Sequence, residues 1–272
     1  MLSYKNKEYL KLDEIIPKIV YKYRSFKNEN HKKIITNQEI YLAKPSEFNC
    51  FYDMNYIIDK EYVQNELNRR KYYSKYLKTS DLNNSKINNL IKNIPITNDY
   101  LIEFENSIKK SYDELFGVFS TSENYKNQRL WKDFGDNRKG FCVGIDLIKA
   151  IPINEGLRGR IDYVNQDKMP QNKLLDIEGS DEFVRSYFNW IFTLPNQYID
   201  EQEYRFVKII VSNIERKRII PKESICEIII GEKMSNSDRE ELIKMIKEHL
   251  PHVKMKRLKY GNKGILQEIL IE

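Results

Sequence analysis

The run Lys139-Gly-Phe-Cys-Val-Gly-Ile-Asp-Leu147, KGFCVGIDL, constrains the fold more than any other stretch of the chain. It is almost continuously apolar up to Asp146, too short for a buried helix, and flanked by turn formers. That is the pattern of a strand buried on both faces in the middle of a sheet. Other strand patterns are spread on either side of it. IVYKYR at 19–24 alternates apolar and polar residues, and QEIYLAKP is a second strand stopped by Pro45. LFGVFSTSE at 115–123 is an apolar strand that finishes abruptly on Ser120, Thr121 and Ser122. GRIDYV, YRFVKIIV, ICEIIIG, VKMKRLKY and LQEILI follow the same rule.

Helical spacing appears over 29–37, around QRLWKDFG, in SDEFVRSYFNWIFTL and in SNSDREELIKMIKEHL. A Lys- and Asn-rich helical block at about 59–115 interrupts the strands. The helices are grouped rather than alternating regularly with strands. The expected fold is therefore α+β, a mixed and mostly antiparallel sheet, in a single domain over 1–272 carrying that helical insertion. Gly135, Gly140 and Gly144 read as helix stop, turn and close strand packing.

Composition excludes several classes. With 40% hydrophobic and 12% aromatic residues over 272 positions, the chain is globular. No stretch has the length of uncharged apolar residues that a membrane span needs, and the first residues lack a secretory pattern. Cys50, Cys142 and Cys226 are odd in number and far apart, which suits a reducing cytoplasm and no metal. The net charge of +6 is scattered among 40 acids, so it reads as solvated surface rather than a nucleic-acid stripe. Alanine occurs only at 43 and 150 while Lys, Asn, Ile and Tyr abound, the signature of A/T-rich codons.

Obvious catalytic devices are missing. His31, His249 and His252 are the only histidines, and no Walker loop or G-x-G-x-x-G is present. Three features remain: Arg24 ending the first strand, Ser120-Thr121-Ser122 ending a middle strand, and DEQEYRFV at 200–207. If strand geometry holds through the last, Glu201 and Glu203 project from one face with Tyr204 and Phe206 opposite. Against these stand plainer roles. Tyr21, Tyr23, Phe119 and Phe206 fit core packing, and Arg205 fits an ion pair with Asp136 or Asp146.

The order YKYRS, KPSEFN…D, FSTSE…LW…F…KGFCVGID, EQEYRFV resembles the bacterial family of unknown function numbered twenty-nine seventy-one, some of whose members are associated with phage defence. The resemblance spans most of 19–231 apart from the helical block. It departs at FNCFYD, where Cys50 and Phe51 stand in place of the family's Asp-Pro. More distantly, Arg24, VFSTS and Glu201-Gln202-Glu203 are similar to the Arg–Ser–Glu class of ADP-ribosyltransferases, with wider spacing between the motifs.

That resemblance implies NAD as substrate, with no metal. Arg24 would hold the pyrophosphate, Ser120, Thr121 and Ser122 would line the cleft, and Tyr23 would stack on nicotinamide. Glu203 would stabilise the ribosyl cation, and Glu201 would orient an unknown protein or nucleic-acid acceptor. An alternative is a non-catalytic nucleic-acid or protein-binding sensor that uses Lys and Arg residues at 69–79. A third is a metal-dependent nuclease built on Asp53, Glu201 and Glu203.

Overall fold

The computed structural model describes residues 16–48, 50–77, 85, 88–89, 96–173, 190–260 and 266–271. Helices begin where short polar side chains can satisfy free backbone donors. Asn28 accepts from Asn30 N at 3.0 Å ahead of α1 (Glu29–Thr36). Asp59 accepts from Tyr62 N at 2.9 Å ahead of α2 (Lys60–Gln64), which α3 (Glu66–Leu77) follows. Thr97 caps α4 (Asn98–Leu115), Asn127 caps α5 (Gln128–Asp133), Asp146 caps α6 (Leu147–Ala150) and Ser235 caps α7 (Asn236–His249). Each such side chain typically contributes about 1 kcal/mol to its helix.

The described residues form two compact units. The first draws on Met1–Ala43, Gly117–Ile161 and Gln197–Glu272, and the second on Lys44–Phe116 and Asp162–Asn196. The helical stretch expected at 59–115 thus falls within the second unit, which begins earlier and also takes in a later segment.

The first unit is built on one eight-stranded sheet. Its strands are β1 (Val20–Arg24), β3 (Phe116–Ser122), β4 (Phe141–Ile145), β5 (Leu157–Arg160), β8 (Glu203–Ile209), β10 (Ile225–Ile230), β11 (Lys254–Tyr260) and β12 (Leu266–Ile271). Their spatial order is β12-β11-β10-β4-β1-β3-β8-β5. β10 and β11 run parallel; the pairs β11/β12, β10/β4, β4/β1, β1/β3 and β5/β8 are antiparallel. The expected mixed, mostly antiparallel α+β sheet is what forms. β2 (Glu39–Tyr41) and β9 (Lys217–Ile219) make a separate antiparallel pair in the same unit.

All five residues of β4 are buried, as the apolar run foretold. One face of the sheet carries Val20, Phe141, Val143, Ile145, Ile228 and Ile230, covered by Ile34 and Ile35 of α1 and by Leu242 and Ile246 of α7. A Lys32–Glu241 ion pair of 3.0 Å ties the two helices together. On the opposite face, Leu130 and Trp131 of α5 pack over Tyr21, Tyr23, Cys142, Ile229 and Leu258.

In the second unit Ile58, Val63 and Leu101 form a small core with Tyr56, Tyr62, Ile96 and Phe104. Tyr56, Tyr112 and Phe116 surround Trp190, the nearest ring centroid at 4.8 Å. β6 (Asp162–Val164) and β7 (Thr193–Pro195) pair in parallel there. GRIDYV therefore contains parts of two strands, not one, because Ile161 N bonds Glu203 O while Asp162 N bonds Phe192 O. The helix expected over SDEFVRSYFNWIFTL falls mostly outside the described residues, and its last residues, from Thr193, are strand.

Gly140 turns the chain into β4 immediately beside the end of β1, and a Cβ there would lie 2.0 Å from Arg24 O. Gly140→Ala is expected to displace that backbone and lower the unfolding free energy by about 1–3 kcal/mol in urea titration.

Candidate functional site

The residues that sequence reasoning gathered for NAD lie on β1, β3 and β8 or on the turn before β8, and these three strands are neighbours in the sheet. Pairing and alternation decide which face each occupies. Arg24 lies across from Phe141, and Lys22 across from Val143, so both cations point to the α1/α7 face. Ser122 lies across from Tyr21, which puts Ser122 and Ser120 on the α5 face with Tyr23. Tyr204 and Phe206 join the α1/α7 core, so Glu203 and Arg205 turn to the α5 side. Ser120, Ser122 and Glu203 thus share one face, whereas Arg24 and Thr121 share the other.

Two of the three hydroxyls hold strands together. Thr121 Oγ1 donates to Tyr204 O at 2.6 Å, and Ser122 Oγ donates to Glu201 O at 2.6 Å while accepting from Asn124 N at 3.0 Å. Both fasten β3 to the chain entering β8. Ser120 is half-buried, and its hydroxyl has no hydrogen bond among the described residues. Tyr23 is 4% exposed, meets Trp131 edge-on at 5.2 Å and donates its hydroxyl to Asn124 O. Its ring is core packing here, the plainer of the two roles open to it.

The two glutamates do not project together from a strand. β8 begins at Glu203; Glu201 ends a 3-10 turn, and Gln202 between them takes φ +45°. That left-handed residue breaks the alternation on which a shared face depends. Glu201 instead lies 3.7 Å from Arg129 of α5. Glu203 is 5% exposed and is gripped bidentately by Arg205, Nε to Oε1 at 2.8 Å and Nη2 to Oε2 at 3.1 Å. The partner of Arg205 is therefore Glu203 rather than Asp136 or Asp146, because i and i+2 on a strand lie side by side.

β1 and β3 pair only at Tyr21↔Ser122 and then diverge. Two groups occupy β3 beyond that point. Ala43 exchanges backbone hydrogen bonds with Val118 at 2.8 and 2.9 Å, and Lys22 Nζ donates to Ser120 O. Lys22 also lies 5.3 Å from the Phe119 ring centroid. Burial first, and then the charge of Arg24, push the Lys22 ammonium down to about 7; Glu203 opposes this and Arg205 adds to it. Arg24 is itself pushed down to about 10 by burial. Its guanidinium has no hydrogen bond or ion pair among the described residues.

His31 of α1 borders this cluster. Its Nδ1 accepts from Ser25 N at 3.1 Å, which leaves the ring proton on Nε2. Burial and the nearby Arg24 charge push it down to about 4, so it is neutral at physiological pH. Lys22, which sequence reasoning passed over, is the most perturbed cation of the group. An alternating strand pattern marks such a lysine as facing solvent, and only the cover of α1 and the gap beside β3 show otherwise.

The remaining expectations are quickly placed. Arg70 is engaged by Glu66 at 2.6 Å and Asn88 at 2.7 Å, while 78–79 of the basic stretch lie outside the described residues. Asp53 of the second unit is 8% exposed, and Asn49 of its loop is not described. Among the described residues no three His, Cys, Asp or Glu side chains gather as metal ligands would. No helix among them is long and apolar enough to cross a membrane. No protein-family model, curated protein or solved structure matches the chain.

Two measurements probe these charges. Glu203→Ala strips the bidentate partner from a buried guanidinium and is expected to lower stability by about 3–5 kcal/mol, with Glu203→Ala/Arg205→Met recovering much of it. Lys22 has a folded value of about 7 against an ordinary 10.5, so between these pH values the unfolded chain holds a proton that the folded chain lacks. Its contribution therefore raises stability as pH climbs through that window. Unfolding free energies of wild type and Lys22→Met, measured from pH 6 to 10, are expected to converge toward the alkaline end.

Proposed function

We propose that the protein binds NAD and cleaves its nicotinamide–ribose bond, as an ADP-ribosyltransferase or NAD glycohydrolase-like effector of bacterial defence or toxicity. The observation that carries this reading is the adjacency of β1, β3 and β8. Arg24, Ser120 and Glu203, far apart in the chain, lie on three consecutive strands of one sheet. Arg24 lies on the face opposite Ser120 and Glu203, so a dinucleotide that met all three would have to displace the Lys22 contact that closes part of the divergence between β1 and β3. Its phosphates would meet the guanidinium on one side and its nicotinamide ribose would meet Ser120 and Glu203 on the other.

The chemistry suits these groups. As the C1′–N bond breaks, its electron pair goes to the pyridinium nitrogen and nicotinamide leaves neutral, so no proton donor is required. Positive charge grows on the ribose, as in other glycosidic cleavages, and an ionised carboxylate stabilises it. The Glu203 carboxylate supplies that charge, held in place by Arg205. Water or an acceptor hydroxyl then adds at C1′ and loses its proton to solvent. Arg24 supplies a planar fork that fits phosphate oxygens better than an ammonium does. The acceptor, in the transferase version, is a protein or nucleic acid that Glu201 would help to orient.

Nicotinamide release from NAD, with and without cell extract, tests the proposal. Glu203→Gln is expected to slow release by about a hundredfold or more while remaining folded by circular dichroism. Wild type that leaves NAD intact under both conditions would falsify the enzymatic reading.

A further inference from the structure

We propose that the outer face of the β2/β9 ribbon, with the chain that leads into it from β8, is a contact surface for a second copy of this protein. The inference is independent of the reaction proposed above.

The first observation is a concentration of bare aliphatic side chains. Ile209, Val211, Ile214 and Ile219 are 64%, 87%, 84% and 63% exposed, all between the end of β8 and the end of β9. Tyr41 of the adjoining β2 is 38% exposed. Single exposed apolar residues are ordinary, but several gathered on one piece of surface mark an interaction site. The backbone beneath them is fixed. Buried Arg216 closes the 3-10 turn Asn213–Arg216 by donating to Asn213 Oδ1 at 3.3 Å and to Leu42 O at 3.4 Å, while Leu42 N donates to Arg216 O at 2.8 Å. Ile40, Ile210 and Ile220 turn inward to the main core. With the ribbon anchored from within, its outward side chains cannot fold back under cover, and burying them takes another molecule.

Register and charge identify that molecule. In the ladder Glu39 stands across from Ile219 and Tyr41 across from Lys217, so these four share the outer face, while Ile40 and Arg218 share the inner one. The outer face thus carries an acid and a base at one pair of diagonal corners and two apolar side chains at the other pair. Neither Glu39 nor Lys217 has an ion pair among the described residues. A two-fold axis along the Tyr41–Ile219 diagonal lays each of these two side chains on its own counterpart in the second copy. The same rotation brings Glu39 of each copy to Lys217 of the other. Such a face is complementary to itself, which is what an isologous contact requires. The strands of the two copies then cross steeply, as in orthogonal sheet packing.

The rim agrees. Lys208 pairs with Glu215 at 3.6 Å, and Arg218 donates to Glu155 through both terminal nitrogens. Glu39, Glu155 and Glu215 therefore balance Lys208, Lys217 and Arg218 here, although the chain as a whole stands at +6. A nucleic acid or an anionic membrane would meet carboxylates as often as cations, whereas a second copy answers each charge. A face of this extent belongs with the small interfaces, below about 1,200 Å² in total, so dissociation in the micromolar range is expected.

Sedimentation velocity of the full chain over a range of concentrations tests the proposal. Wild type is expected to pass from monomer to dimer and to stop there. Ile219→Asp and Val211→Ser are each expected to weaken the dimer at least tenfold while leaving the circular dichroism spectrum and unfolding midpoint unchanged, since both side chains are exposed. Glu39→Lys alone and Lys217→Glu alone set like charges against each other and are expected to be monomeric. An equimolar mixture of these two variants is expected to dimerise again, and so is the doubly exchanged Glu39→Lys/Lys217→Glu chain. That rescue reads the two-fold pairing itself, which general stickiness of an apolar surface cannot imitate. A wild type that stays monomeric at every concentration, a dimer indifferent to these substitutions, or assembly that grows past the dimer overturns the proposal. So does a monomer that binds phosphatidylserine vesicles or single-stranded RNA through Ile219, which would assign the face to a different class of partner.

Discussion

Everything distinctive about this sheet follows from β4, a strand too apolar to lie anywhere but its centre. β1 pairs with it over five residues, from Val20↔Ile145 to Arg24↔Phe141. That pairing holds β1 in register and leaves its alternate side chains no choice of face. Tyr21 and Tyr23 go under α5, while Val20, Lys22 and Arg24 go under α1 and α7. Two cations are carried beneath a helix by the same hydrophobic register that buries Val20.

The other side of β1 is the opposite case. Only Tyr21↔Ser122 joins it to β3, and the strands then separate. A backbone left open in a sheet must find partners. Ala43 supplies them at Val118 and the Lys22 ammonium supplies one at Ser120. The divergence is thus closed in part by a charged side chain, the kind of group that a ligand can engage without disturbing a ladder. Lys22 is a charge that the fold tolerates at a cost, since burial pushes its ammonium down to about 7.

The acidic partner is held differently. Glu203 opens β8 in a buried position with Arg205 across both oxygens, while Thr121 and Ser122 stitch β3 to the neighbouring chain. The Ser-Thr-Ser end of the strand therefore does two jobs. Its second and third hydroxyls are structural, and only the first is without a hydrogen bond among the described residues. A run of three hydroxyls looks uniform in sequence and is divided by geometry alone.

Much of this was legible beforehand. Continuous apolarity located β4, alternation located β1, and helical spacing located α1, α5 and α7, because each of these signals acts within a few residues of chain. Gly140 and Gly144 were readable as a turn and a place of close packing, but the cause is tertiary: a Cβ at the first would meet Arg24 O at 2.0 Å, and at the second Glu227 Cγ at 2.7 Å. What sequence could not supply was anything set by contacts between distant segments. The division of GRIDYV between two strands and the burial of Lys22 belong to that kind, whereas the grip of Arg205 on Glu203 and the left-handed Gln202 are local features that no short pattern marked. Local pattern determined which segments are strands and helices; only the tertiary structure decided which strands became neighbours and on which face each charge fell, since those depend on burial and long-range pairing that no short window contains.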